Sequence, residues 1–213
     1  MTDGIKRGRF ITLEGGEGTG KSTQVKLLAQ RLMDARLPVI TTREPGGTAG
    51  AEAIRALLVN GDTGRWPPMS EALLHFAARV DHVEKVIKPA LEKGTWVISD
   101  RFADSTFAYQ GAGQGLGRDS IEALHTLCLG DFAPDLTLIL DMPVAAALER
   151  AQRRGGEDRY ERMGQAFHER LRQAFLDIAA ANPVRCRVVD ARGTPETVAE
   201  QLWAATSAKF GLP

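Results

Sequence analysis

The run Gly15-Gly16-Glu17-Gly18-Thr19-Gly20-Lys21-Ser22, followed by Thr23, constrains this chain more than any other stretch. It fits G-x-x-x-x-G-K-[ST] without a mismatch, and that motif requires a strand before it and a helix after it. Phe10-Ile11-Thr12-Leu13 is a short β-branched and apolar run. Behind Ser22, Val25, Leu28, Ala29 and Leu32 recur at helical spacing. Both flanks therefore meet the requirement. Glycines let successive backbone N–H groups turn inward on a phosphate, and the helix N-terminus adds partial positive charge. Lys21 is expected at the β- and γ-phosphates of a nucleotide, and the Ser22 hydroxyl on Mg²⁺.

The rest of the chain reads as one α/β domain. Short apolar or β-branched runs at Phe10–Leu13, Val39–Thr42, Thr95–Ser99, Leu136–Leu140 and Arg187–Val189 predict five strands, separated by longer helical patterns. That alternation predicts a five-stranded parallel sheet flanked by helices on both faces, a P-loop NTPase-type three-layer sandwich spanning residues 1–213. Ser70 to Lys93 reads as one long helix kinked near its end by Pro89, and Asn60–Pro68 as a loop. Lys+Arg and Asp+Glu both number 27, which argues against a nucleic-acid or membrane-surface binder. Cys128 and Cys186 stand far apart with no CxxC and read as reduced core residues. No apolar run approaches a membrane span, and the polar stretch Met1 to Arg9 shows no signal peptide, so a cytoplasmic protein is expected.

Polar and charged residues collect where each predicted strand ends: Glu14 and the phosphate loop, Arg43 to Thr48, Asp100-Arg101-Phe102, Asp141-Met142-Pro143, and Asp190 to Gly193. Any one of these is an ordinary solvated turn; five together mark the edge where open parallel sheets bind ligands. Between residues 150 and 162, Arg150, Arg153, Arg154, Arg159 and Arg162 surround Gly155-Gly156. This segment reads either as a solvated helix end or as a mobile lid whose guanidinium groups close over a transferring phosphoryl. No N-K-x-D stands in the chain for a GTPase, and there is no length for a second recognition domain, which leaves a small kinase.

Further motifs then carry a specific likeness. Thr42-Arg43-Glu44-Pro45-Gly46-Gly47-Thr48, Phe76-Ala77-Ala78-Arg79, Asp100-Arg101-Phe102, Tyr109-Gln110-Gly111 and the lid ending Asp158-Arg159-Tyr160-Glu161 stand in the order and spacing of bacterial thymidylate kinases. The chain resembles that family from Phe10 to its last helix. The resemblance implies ATP and Mg²⁺ as cofactors, dTMP as acceptor, dTDP as product, and a homodimer joined through apolar helix faces. It implies that Arg79 bonds the thymine edge, that Thr106 and Gln110 read the remaining base edge, and that Tyr109 packs beside the deoxyribose. Arg55 and Arg101 would hold the acceptor phosphate, and the loop from Asp190 to Gly193 would lie near adenine.

One position departs from the family. An aromatic usually stacks on thymine four residues before the arginine; here that residue is His75, with Phe76 three before. His75 is the first choice for the stack, and Phe76 is the alternative. The acidic Glu14, Glu17 and Asp100 read as magnesium-shell or structural groups, with Glu17 also near the acceptor; Asp104 reads as the cap of a short turn. Apart from Lys21 the loop has no basic residue, so a second cation for the phosphoryl must come from elsewhere. Arg154 is the leading candidate, ahead of Arg150, which would lie along adenine, and Arg159, which would hold the lid through Asp158 or Glu161. A nucleoside kinase on the same fold and a slowly hydrolysing nucleotide-dependent regulator remain open at this point.

Overall fold

The computed structural model describes residues 6–155 and 159–213, the side chain of Arg154 excepted. Five strands form one parallel sheet: β1 (Phe10–Glu14), β2 (Val39–Arg43), β3 (Trp96–Asp100), β4 (Leu136–Asp141) and β5 (Cys186–Asp190). The order across the sheet is β2-β3-β1-β4-β5. The register sets Leu13 and Arg43 opposite Asp100, and Asp141 opposite Asp190, so the carboxyl ends share one edge. Successive residues face opposite sides of a strand. Ile11 and Leu13 accordingly meet α1 (Lys21–Asp34) and α9 (Pro195–Phe210), through Val25, Leu28, Leu32, Val198 and Leu202. Phe10 faces the other way, into a cluster with Val83, Ile87, Leu91, Val97 and Phe102.

Six further α-helical segments fill the chain up to α7: α2 (Ala49–Val59), α3 (Pro68–His82), α4 (Lys88–Glu92), α5 (Ala103–Thr106), α6 (Arg118–Leu129) and α7 (Val144–Arg154). Helix α8 (Gln165–Ala181) then covers β4 and β5 with Phe167, Leu171 and Phe175. Thr48 caps α2 by accepting from the Ala51 N–H at 3.0 Å. The long helix expected over residues 70–93 is interrupted earlier than Pro89, by a π-helical turn at Val83–Ile87. Pro89 lies in the first turn of α4, where a missing N–H leaves no bond unmade. A second π-helical turn, Phe107–Gly113, follows α5 and carries Tyr109 and Gln110. Such turns shift the side-chain register by one residue and often mark functional sites. Cys128 and Cys186 are both free thiols; Cys186 is buried and Cys128 is only half-buried against α3 and α6.

Candidate active site

Above the carboxyl edge of the sheet lies a cleft of about 1140 Å³. Its phosphate end is the loop between β1 and α1. Gly18 takes φ 73° and passes so close to α7 that an added Cβ would lie 1.8 Å from the Ala147 carbonyl oxygen. Gly20 takes φ 91° at the start of α1, which frees the first N–H groups of that helix to face the cleft. Gly15 and Gly16 lie below the loop, lining a small cavity of about 20 Å³ rather than the cleft itself. Their carbonyls accept from the Lys21 ammonium at 3.1 and 2.6 Å. Burial, with Arg101 close by, brings that ammonium down to about 8.

Arg101 leaves β3 with φ 72°, and its guanidinium donates to the Gly15 carbonyl at 2.8 Å, to Ser105 Oγ at 3.1 Å and to Glu17 Oε1 at 2.8 Å. Tyr109 donates its hydroxyl to the same Glu17 oxygen at 2.6 Å, and Arg101 stacks over its ring at 5.0 Å. Burial alone would raise the Glu17 carboxyl, but Arg101, Lys21 and the Tyr109 hydroxyl outweigh it and hold it at about 2. Glu17 is therefore an anion that anchors the Arg101 guanidinium and the Tyr109 phenol within the field of Lys21. Ser22 donates to Asp100 Oδ2 at 2.6 Å, placing two oxygen ligands side by side at the loop. Among the described residues no group of three or more His, Cys, Asp or Glu could hold a metal. The pair suits a hard cation that keeps water and phosphate oxygens as its other ligands.

Glu14 sits beneath this end, fully buried, accepting from the Phe102 N–H at 2.8 Å and from Ser105 Oγ at 2.6 Å. Burial, with Asp104 adding to it, pushes its carboxyl up to about 7. Asp104 is more than a turn cap: it is buried and accepts from Arg185 at 2.5 and 3.0 Å.

The other end of the cleft is built from buried side chains of distant segments. Arg79 donates Nε to Glu44 at 2.7 Å and Nη2 to Thr106 Oγ1 at 3.0 Å and the Phe102 carbonyl at 3.2 Å. Its remaining nitrogen, Nη1, is buried and has no hydrogen-bond partner, as is Oε1 of Gln110; both residues line the cleft. Thr106 is buried behind Arg79, accepting from its Nη2, and does not itself line the cleft, which shifts its expected place from the base edge to a support of Arg79. Phe76 is likewise corrected: it is 1 % exposed and packs with Ala72 and Ile121 in the core, while His75 faces the cleft. The two side chains are one residue apart and so point about 100° apart on the helix. His75 Nε2 and the Tyr160 hydroxyl are 2.9 Å apart. Burial and then Arg79, Arg159, Arg101 and Arg55 hold the His75 ring well below its usual range, so it is neutral at neutral pH.

Arg55 lines the cleft and donates to the Pro45 carbonyl at 2.8 Å. On the far side of the phosphate loop, Arg150 donates to the Ala191 and Arg192 carbonyls at 3.0 and 2.9 Å. Ala191 to Thr194 line the cleft; Asp190 does not, and instead pairs with Arg192 at 2.7 Å, which moves the expected contact one residue onward. Arg159 does not hold the lid through Glu161. It is fully buried, donates to the Leu58 and Thr63 carbonyls at 2.9 and 3.0 Å, and forms an ion pair with Glu71. Arg154's expected role falls on a side chain outside those described, as does that of Asp158.

Three anchors escaped the sequence reading as site residues: Glu44, Glu71 and His82, the last accepting or donating to Glu44 at 3.0 Å. Their signal was spacing. Glu71, His75, Arg79 and His82 put four titratable groups on successive turns of α3, on a face that the fold buries or turns to the cleft.

With this geometry in hand, the comparisons decide the family: a family model described as thymidylate kinase matches residues 13–202. The chain belongs to the thymidylate kinase family. It is 53 % identical to the thymidylate kinase of Caulobacter vibrioides over 208 residues, covering 98 % of this chain and all of that one. It is 54 % identical to that of Afipia carboxidovorans over 200 residues, covering 92 % and 88 %. The crystal structure of thymidylate kinase from Ehrlichia chaffeensis superposes with a TM-score of 0.77 at 35 % identity, over 94 % of this chain and 99 % of that one. The fold expected from the sequence, a parallel five-stranded sheet between helical layers, is the fold that thymidylate kinase structure shares.

Proposed function

We propose that the cleft phosphorylates dTMP to dTDP with ATP as donor, and that one observation carries the assignment of its two ends. A phosphate loop closes one end, and at the other a buried donor and a buried acceptor, Arg79 Nη1 and Gln110 Oε1, stand without partners. A thymine edge, with O4 accepting beside N3–H donating, satisfies both. His75 offers the neutral ring face on which the base stacks, and Tyr109 walls the sugar. The loop residues Glu17 to Thr23 hold the donor phosphates, Gly15 and Gly16 support them from below through Lys21, and Arg150 and Ala191 to Thr194 lie along adenine.

The acceptor is a phosphate monoester with second pKa about 6, already an ionised nucleophile at neutral pH. No proton has to be removed; two anions have to be brought together, and charge and position do that. Lys21 and Arg101 supply fixed cations there, and Glu17 keeps Arg101 aligned. Arg55 and Arg101 hold the acceptor phosphate. The lid, residues 150–162 of a single kinase domain spanning 1–213, brings Arg154 as the cation of the transition state. Arg150 and Arg159 being engaged elsewhere supports that choice. Ser22 and Asp100 would hold Mg²⁺, which when bound offsets charge on the β- and γ-phosphates.

Two further readings go with this one. Met69 and Leu73 on α3 and Leu127 on α6 are 41, 50 and 83 % exposed, and the two helices pack side by side, which supports a homodimer through that face. No helix among the described residues is long and apolar enough to cross a membrane, and both thiols are free, which supports a cytoplasmic enzyme. A coupled ADP-release assay over dTMP, dUMP, dCMP, dGMP and thymidine tests the reading. The expected result is turnover strongest with dTMP and far above the ATPase background; equal rates with and without acceptor would make the chain a nucleotide-dependent regulator instead.

A further inference from the structure

Glu71 stands in the first turn of α3 with no exposed surface, and four donors converge on it. Oε1 accepts from Gln110 Nε2 at 2.7 Å, Gln114 Nε2 at 2.7 Å and the Tyr160 hydroxyl at 3.0 Å; Oε2 accepts from Arg159. The family's base-reading groups do not explain such a hub, because Glu71 itself does not line the cleft. Its effect is on what Gln110 shows to the cleft. A side-chain amide can face a ligand with either its carbonyl or its NH₂, and the network around it decides which. A carboxylate paired with a guanidinium accepts only, so it draws the NH₂ of Gln110 and leaves Oε1, buried and unpartnered, as the free end of an amide whose residue lines the cleft. Glu44 does the same for Arg79, taking Nε and leaving Nη1.

We propose that Glu71 is the positioning residue that sets the base selectivity of the cleft, by locking the Gln110 amide as an acceptor. A base with N3–H, thymine or uracil, meets that acceptor; cytosine presents a lone pair at N3 and an amino group at C4, and mismatches Gln110 and Arg79 alike. The same carboxylate holds Arg159 and Tyr160 in the second half of the lid, and the Tyr160 hydroxyl gives its proton to Glu71 and so takes one from His75 Nε2. Base polarity, the stacking ring and the landing point of the lid are thereby referred to one buried group.

The inference rests on the base-end reading given above, and the test separates the two. kcat/KM is measured for dTMP and 5-methyl-dCMP, which share sugar, phosphate and methyl group and differ only in the N3–C4 edge. Wild type is expected to prefer dTMP by about 10⁴, the range in which a site built to hydrogen-bond rejects a mismatched analogue. Glu71→Gln, able to accept from or donate to the Gln110 amide, is expected to narrow that preference about tenfold or more with the KM for ATP unchanged, Arg79 keeping the remainder. Glu71→Asp, still an acceptor, is expected to retain most of the ratio at reduced rate. Equal losses for both nucleotides in Glu71→Gln, with the ratio intact, would show a purely structural role and overturn the proposal. A wild type that does not discriminate the pair overturns the base-end reading and this inference with it. Because Glu71→Gln leaves Arg159 buried without its counter-charge and can fail to fold, wild-type side-chain amide exchange is measured as well. Gln110 NH₂ protons are expected to be protected before nucleotide is added; protection that arises only with dTMP would mean that the NH₂ faces the base, against the proposal.

Discussion

At the phosphate end of the cleft, Glu17 to Thr23 line the cradle from one uninterrupted stretch, and Gly15 and Gly16 just before it hold Lys21 from below. At the base end, His75 and Tyr160 meet across 85 residues of chain, Arg159 and Glu71 across 88, and Arg79 and Glu44 across 35. The first end is a local conformation that glycines permit. The second exists only once the fold has formed, and it is held by buried charges that cost free energy unless every member is paired. The two ends should therefore fail differently: damage to the first removes rate and leaves the fold, whereas damage to the second removes fold or selectivity.

The largest expected effect is at the base end. Arg159→Met leaves the Glu71 carboxylate without its counter-charge and two backbone carbonyls without that donor in the interior, and removing one partner of a buried pair costs about 3–5 kcal/mol. Urea midpoints report this; a loss under about 1 kcal/mol would mean that water reaches Glu71 and the contrast between the ends is weaker than described. At the phosphate end, Lys21→Ala should lower kcat by about 10²–10³ while the melting temperature holds, since it removes a charge whose burial already disfavours it. Arg154→Ala should follow at about 10², with KM values moved only a few-fold, because its contact forms in the transition state. Lys21→Ala keeping a tenth of wild-type turnover at saturating ATP would break the assignment.

The smallest effect sharpens the comparison by showing, beneath the phosphate end, a buried carboxyl without a counter-ion of its own among the described residues. Glu14 has its folded-state value raised from 4.5 to about 7. The folded protein thus holds a proton that the unfolded chain gives up, and stability from this group is full below about 4.5 and lost as pH rises through 7. Glu14→Gln removes the dependence. Between pH 5 and 7.5 the wild-type melting temperature should fall relative to the variant by on the order of 5 °C; parallel profiles would mean that Glu14 is ionised throughout.

The same contrast explains what could be read from the sequence. All five strands were legible to within a residue or two, because period and β-branching are local, and the phosphate loop was legible because its chemistry is contiguous. Glu71 looked like any helix-surface acid, and Glu44 like a turn residue, until Arg159 and Arg79 were brought to them. Asp104 passed for a cap because Arg185 lies 81 residues away. The π-helical turn at Val83–Ile87 left no mark, since none of its residues is a helix breaker, whereas Pro89 drew attention to the wrong place.

Among the described residues only Arg36 and Arg101 carry a side chain at positive φ. For an L-residue that conformation costs about 1–2 kcal/mol, and glycine would adopt it freely. Glycine at position 101 would relieve that strain but remove the guanidinium between Glu17, Ser105 and the Gly15 carbonyl, leaving a mostly buried carboxylate without its counter-charge, which costs more than the strain. At position 101 the backbone strain and the ion pair stand or fall together: the left-handed turn aims the guanidinium at Glu17, and the pairing holds the turn.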